Sequence, residues 1–207
     1  MEPTPLVGVA SGGVGNSAFF NGSYFSEIEH IKEYEGQSFF LEFWLFLLKD
    51  STGNWRTIIQ KGETIQDLTP SIMLWPKQRK LHIKLNTDNS IEGIDSISII
   101  PLRRWTHIAL GYETKLTQLF INGIKDNEII LKGNVVPNKG KFHLGKDPWH
   151  QGTNMYIDDL KIWNKIKSTF EMRANVFSKS MGIWGEEGAV FGCESCNYNQ
   201  VKIYKRV

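Results

Sequence analysis

Short strand signals recur about a dozen times along this chain, at near-regular spacing and with turn signals between them, and that pattern restricts the fold more than any other feature. Ala18 to Ser23 carries the turn pair Asn21-Gly22, and Tyr24 to Glu29 resumes the extended pattern. Ser38 to Leu47 is rich in leucine and aromatic residues and is apolar on both faces, which suits the central strand of a two-sheet structure. Trp55 to Gln60 is short and β-branched. Ser71 to Trp75 and Leu81 to Leu85 flank a polar turn at 76–80, which predicts a hairpin. Ile97 to Ile100, Thr106 to Tyr112 and Gln118 to Ile121 follow, and Asn122-Gly123 is a strong hairpin signal. Glu128 to Leu131, Lys141 to Leu144 and Met155 to Trp163 complete the set. Helical pattern is confined to Ser168 to Lys179, where Ser168 and Glu171 have capping-box spacing and Phe170, Ala174 and Phe177 recur at helical intervals. The order predicts an all-β sandwich or barrel with one short helix.

The last strand carries a misfit. Simple alternation places Tyr156, Asp158, Leu160 and Ile162 on one face and Ile157, Asp159, Lys161 and Trp163 on the other. The first face is core-like except for Asp158; the second is half solvated, so Asp159 is expected to point outward as a surface charge. A carboxylate on a core face is costly unless it is hydrogen bonded or metal bound, and Asp158 is therefore a candidate site residue. The loop before this strand opens with Asp147-Pro148, a stiff turn because proline fixes its own φ and restricts its predecessor. Trp149 and His150 follow directly.

Composition narrows the class. The chain has 207 residues, 41% hydrophobic and 22% charged, as in an ordinary globular protein and not a disordered one. The net charge of +2 and the dispersed basic residues, densest at Lys77, Arg79 and Lys80, argue against a nucleic-acid partner. No apolar run reaches transmembrane length, and the first residues lack the basic and apolar regions of a signal peptide. Cys193 and Cys196 are the only cysteines; they are too few for a four-thiolate zinc site. They read either as a small disulfide or as part of a larger cysteine-rich element. We expect the sandwich to occupy residues 1–178 and a glycine-rich tail to occupy 179–207.

Five segments in order resemble the laminin-G-like branch of the concanavalin A-like lectin/glucanase superfamily. Phe20-Asn21-Gly22-Ser23 resembles its opening Phe-Asp-Gly turn, with Asn for Asp. Ser38 to Leu45 is similar to its aromatic central strand, and Trp105-Thr106-His107-Ile108-Ala109 to its Trp-x-His-Val-Ala strand. Leu119 to Gly123 resembles its Tyr-Val-Asp-Gly hairpin, and Ile157 to Asn164 its closing strand. The loop 145–149 and the later Phe191 to Cys196 look like a subgroup of secreted or surface proteins of protists, including apicomplexans. The resemblance implies a jelly-roll β-sandwich of two antiparallel sheets. It also implies a secreted or cell-surface recognition module within a larger protein, with a glycan or glycoprotein ligand and in some members a calcium ion at the sandwich rim; the alternative is a protein-interaction module or a structural spacer of a surface protein that binds no sugar.

Each candidate site has two readings. Asp158, with Asn21 and Gly22 from the opening turn, forms a calcium site, or Asp158 only accepts backbone hydrogen bonds; calcium takes about 6–8 oxygen ligands, and one carboxylate is few. Asp147, Trp149 and His150 form a rim site in which the indole stacks on a sugar, or Trp149 folds back to plug the end of the sandwich. Trp75, beside Lys77, Arg79 and Lys80, makes an anionic-glycan patch or sits at a solvated hairpin tip. His107 and the tryptophans 44, 105 and 163 are expected to be structural. The Glu-x-Asp-x-x-Glu cluster of the superfamily's glucanases is missing, as are a Gly-x-Ser-x-Gly elbow, a phosphate loop and a His-Glu-x-x-His motif, so binding and not catalysis is expected.

Overall fold

The computed structural model describes residues 8–9, 16–30, 35, 38–180, 189–191 and 203–205. Two sheets, antiparallel apart from two short parallel pairings among the described residues, form a sandwich. The larger has the order β1 (Gly8–Val9), β2 (Asn16–Asn21), β14 (Asn154–Trp163), β4 (Phe39–Leu47), β9 (Trp105–Glu113), β10 (Leu116–Ile121) and β11 (Ile124–Ile130). The smaller runs β3 (Ser26–Ile28), β12 (Phe142–Leu144), β5 (Arg56–Lys61), β6 (Ser71–Leu74), β7 (Leu81–Asn86) and β8 (Ile91–Asp95), with β13 (Gln151–Gly152) set parallel against β5. The short strand β15 (Ala189–Phe191) pairs onto β14, and β16 (Ile203–Lys205) pairs onto β15, so both extend the larger sheet from within the stretch expected to be a tail. Cys193 and Cys196 lie outside the described residues.

The apolar strand at 39–47 is central, as its two apolar faces require. Leu41, Phe43, Leu45 and Leu47 enter the core between the sheets, where they meet Ile58, Ile72, Leu74, Ile83 and Phe142. Phe40 points to the outer face and packs with Ala109, Phe120, Trp163 and Met172 under the helix α1 (Thr169–Ser180). The expected capping box is present: Glu171 N–H donates to Ser168 Oγ, and Ser168 N–H donates to Glu171 Oε2 at 2.8 Å. Asn122 and Gly123 take φ of 52° and 76°, the left-handed pair that a tight hairpin needs.

Two expectations are corrected. The strand placed at 97–100 lies at 91–95 instead. Ile97 and Ser98 donate their N–H groups to the Asp126 carboxylate and not to a neighbouring strand, and Ile97 is 64% exposed. Gly93 conceals the true strand, yet it is required there, since a Cβ would collide with the Ile83 carbonyl across the ladder. The second correction concerns β14. Asp158 pairs with Trp44 and Lys161 with Glu42, so one extra residue is inserted, and Asp159 absorbs it at φ 47°. This bulge reverses the alternation beyond it. Met155, Ile157, Leu160 and Ile162 face the core. Asp158 therefore lies on the outer face beside Trp44, not on the core face, and Asp159 is buried, not a surface charge.

The outer face also holds a buried carboxyl–imidazole pair. Glu42 and His107 approach to 3.3 Å, each side chain 3% exposed, with Trp44 edge-on to the imidazole. Burial pushes the Glu42 carboxyl up, but the hydrogen bond and charge of His107, with the charges of Lys167 and Lys161, outweigh it and hold the carboxyl below its ordinary 4.5. A carboxyl depressed by folding stabilises the fold above its unfolded value and loses that contribution as pH falls through its native value. Glu42→Gln is thus expected to lower the melting temperature at neutral pH and to flatten the loss of stability below pH 4.5, as measured by thermal unfolding across pH.

Candidate functional site

Three loops meet at one end of the sandwich and enclose a cleft of about 600 Å³. The first is the Asn21-Gly22 turn between β2 and β3, the second follows β4 at Lys49 to Asn54, and the third spans 145–153 between β12 and β14. Backbone joins them. Gly152 N–H donates to the Gly22 carbonyl at 3.2 Å and Thr153 N–H to the Gly145 carbonyl at 2.8 Å. A Cβ on Gly152 would stand 2.5 Å from the Gly22 oxygen and 2.7 Å from the Gly145 oxygen, so glycine permits this crossing. Side chains complete the frame: Thr52 Oγ1–H donates to Gln151 Oε1 at 3.2 Å, and Asn154 Nδ2–H to the Asn21 carbonyl at 3.3 Å.

The third loop takes its shape from Asp147, which is fully buried. Its carboxylate accepts the N–H groups of Trp149 and His150 at 2.8 and 2.7 Å on Oδ1, and the Thr57 hydroxyl at 2.6 Å on Oδ2. His150 Nδ1 lies 3.0 Å from Oδ2. Donation from Nδ1 to this carboxylate leaves Nε2 with the lone pair in the neutral ring. Asp147 therefore does not line the cleft itself but positions two residues that do. Trp149 is 36% exposed and lines the cleft beside Pro148. It does not fold back to plug the sandwich, and the structure brings it and His150 together with Asn21 and Gly22, which the sequence reading groups with Asp158 instead.

Trp75 is placed elsewhere. It packs against Trp55 at 4.7 Å and His82 at 4.9 Å and does not line this cleft. Asp158 is also remote: Asn154 is the β14 residue opposite Asn21, and Asp158 lies four residues further along, roughly 13 Å away at strand rise. Calcium does not fit the cleft, because no carboxylate lines it and three cations do. Among the described residues no group of three or more His, Cys, Asp or Glu side chains is placed to hold a metal ion.

Those cations are what the sequence reading missed. Lys49 and Lys146 line the cleft, and Arg56, 1% exposed, lies beneath Lys49. Arg56 donates from Nη1 to the carbonyls of Lys49 and Asp50, at 3.3 and 2.9 Å, and from Nη2 to that of Gln78 at 3.4 Å, which pins the second loop. Burial lowers its pKa, yet a guanidinium keeps its proton. Lys146 stands inside the recognised loop, whereas nothing in the sequence near Lys49 signals that its loop meets a segment nearly a hundred residues away.

Comparison with solved structures places this arrangement on a known scaffold. Domain 4 of AbnA, an extracellular arabinanase from Geobacillus stearothermophilus solved with arabinotriose, matches with a TM-score of 0.65 at 18% identity, over 83% of this chain and 81% of that one. The binding domain of botulinum neurotoxin serotype D gives 0.63 at 15% identity, over 78% of this chain and 41% of that one. The binding domain of botulinum neurotoxin DC in complex with SialylT gives 0.59 at 18%, over 80% and 45%. The chain thus spans less than half of the neurotoxin domains that it matches. At these identities the likeness is one of fold. A search of curated protein sequences found no match. No helix among the described residues is long and apolar enough to cross a membrane. The laminin-G-type model of one superfamily matches residues 17–171, well over half of the sequence, and the chain belongs to the concanavalin A-like lectin/glucanases superfamily.

Proposed function

We propose that this chain is an extracellular, non-catalytic glycan-binding module of a larger protein, and that the saccharide binds in the cleft at the end of the sandwich. The observation that carries this reading is the Trp149 indole, 36% exposed in a cleft otherwise lined mainly by amides, hydroxyls and cations. An exposed ring offers a flat apolar face to a sugar, and the amides of Asn21, Gln151 and Asn154 suit its hydroxyls. Glycoside hydrolysis uses a pair of carboxyl groups, and the cleft lining offers none, which supports binding over cleavage. Relatives of the same fold support the same reading: one was solved with arabinotriose, and cell entry of botulinum neurotoxin type C depends on two ganglioside molecules.

The test is a glycan array probed with the purified folded chain, followed by hydrogen exchange with the best ligand. Selective binding with slowed exchange at 21–23, 49–54 and 146–152 is expected. Protection at the opposite end of the sandwich, or no binding by folded protein, overturns the reading. A second reading, recognition of a protein partner, draws on the row of half-buried rings Phe19, Tyr156, Phe46 and Trp105 across the outer face, with centroids 5.1 to 6.0 Å apart. Protection of that row by a captured partner, with no saccharide bound, would favour it.

A further inference from the structure

We infer that the cleft selects acidic saccharides, those carrying a carboxylate or a sulfate, and that Lys49 and Lys146 read the anionic group. This inference rests on the glycan-binding reading and adds the ligand class. Every formally charged residue that lines the cleft is a cation: Lys49, Arg56 and Lys146. The neighbouring carboxylates are engaged elsewhere. Asp147 is buried beneath the loop and holds Thr57, Trp149 and His150. Asp50 accepts the Ser51 N–H at 2.7 Å and pairs with Arg79 at 3.5 Å.

Neither Lys49 nor Lys146 makes an ion pair with a carboxylate among the described residues, whereas Lys141 pairs with Glu27 and Glu29 and Lys125 with Glu128. Arg56 adds a fixed charge below them. Its Nε is buried and meets no hydrogen-bond acceptor among the described residues. Three like charges around one concave space raise its potential, and an anion that enters lowers the energy of all three. Ammonium groups on flexible stems accept either a carboxylate or a sulfate as point charges, so the geometry specifies the anion and not one acid.

The experiment is an array of matched sets, in which each neutral saccharide stands beside its sialylated, sulfated and uronate forms, followed by titration of the best acidic member and its neutral parent. Binding of an acidic form at least about tenfold tighter than the parent is expected, and so is weakening at higher ionic strength. The double variant Lys49→Gln/Lys146→Gln is expected to lose about tenfold for the acidic ligand and to keep the affinity for the neutral parent. The control Lys139→Gln/Lys165→Gln removes the same charge from exposed positions outside the cleft and should bind as the parent protein does. Which acidic series binds identifies the group. Equal affinity for neutral and acidic forms, or equal loss in the control variant, overturns the inference while leaving the cleft a glycan site. A folded chain that binds no member of any set overturns the glycan reading as well.

Discussion

Asp147→Ala is expected to cost about 4 kcal/mol of stability, to lower the melting temperature by about 10 °C and to abolish binding at the cleft. The carboxylate is fully buried and collects the N–H groups of Trp149 and His150, the Thr57 hydroxyl and the His150 ring. Alanine leaves these donors without their acceptor, and a buried donor without an acceptor costs about 1–3 kcal/mol. The loop then has no reason to keep Trp149 at the cleft wall. Thr57→Val removes one of the bonds and keeps the carboxylate, so a smaller loss of about 1–2 kcal/mol with binding retained is expected. Thermal unfolding and saccharide titration of the two variants measure both effects. An Asp147→Ala protein of normal stability would show that the loop is held by its glycines and not by this carboxylate.

Trp149→Ala separates binding from folding. The ring is partly exposed and its one aromatic neighbour among the described residues is His143, with centroids 6.3 Å apart, so its removal should change stability by no more than about 0.5 kcal/mol. An aromatic anchor in a desolvated contact is commonly worth about 2 kcal/mol or more, which corresponds to a weakening of at least about tenfold. Calorimetric titration of the array-selected saccharide against the folded variant tests this. Unchanged affinity would remove Trp149 from the site and leave the loop amides and cations to carry recognition.

The sandwich was legible because period-two alternation and turn chemistry act within a few residues. The hairpin at Asn122-Gly123, the capping box at Ser168 and the apolar strand at 39–47 each follow from local sequence, and each stands where the pattern predicts. The stiff start of the rim loop was legible for the same reason, since Asp147-Pro148 is a local turn signal, whereas the exposure of Trp149 was not, because the sequence leaves open whether the ring plugs the sandwich end. Lys49 was not legible as a site residue, because it reaches the cleft only when β4 ends beside β14, where Leu48 N–H donates to the Asn154 carbonyl at 2.9 Å.

Asp158 shows where alternation fails. A single left-handed residue, Asp159, shifts the register of β14, so that Leu160 and Ile162 face the core while Asp158 lies on the outer face and not on the predicted core face. No short-range rule forecasts that bulge, because its position depends on pairing with β4, more than a hundred residues earlier. The same distinction holds for charge. Sequence counted lysines and aspartates, whereas burial and partners decided which were neutralised within the fold and which face the cleft. Sequence alone thus determined that this chain forms an antiparallel sandwich with a rigid rim loop, because strands and turns are local. Only the tertiary structure decided which three loops converge, which carboxylate supports them and which cations remain at the cleft, because those outcomes depend on contacts between segments far apart in the chain.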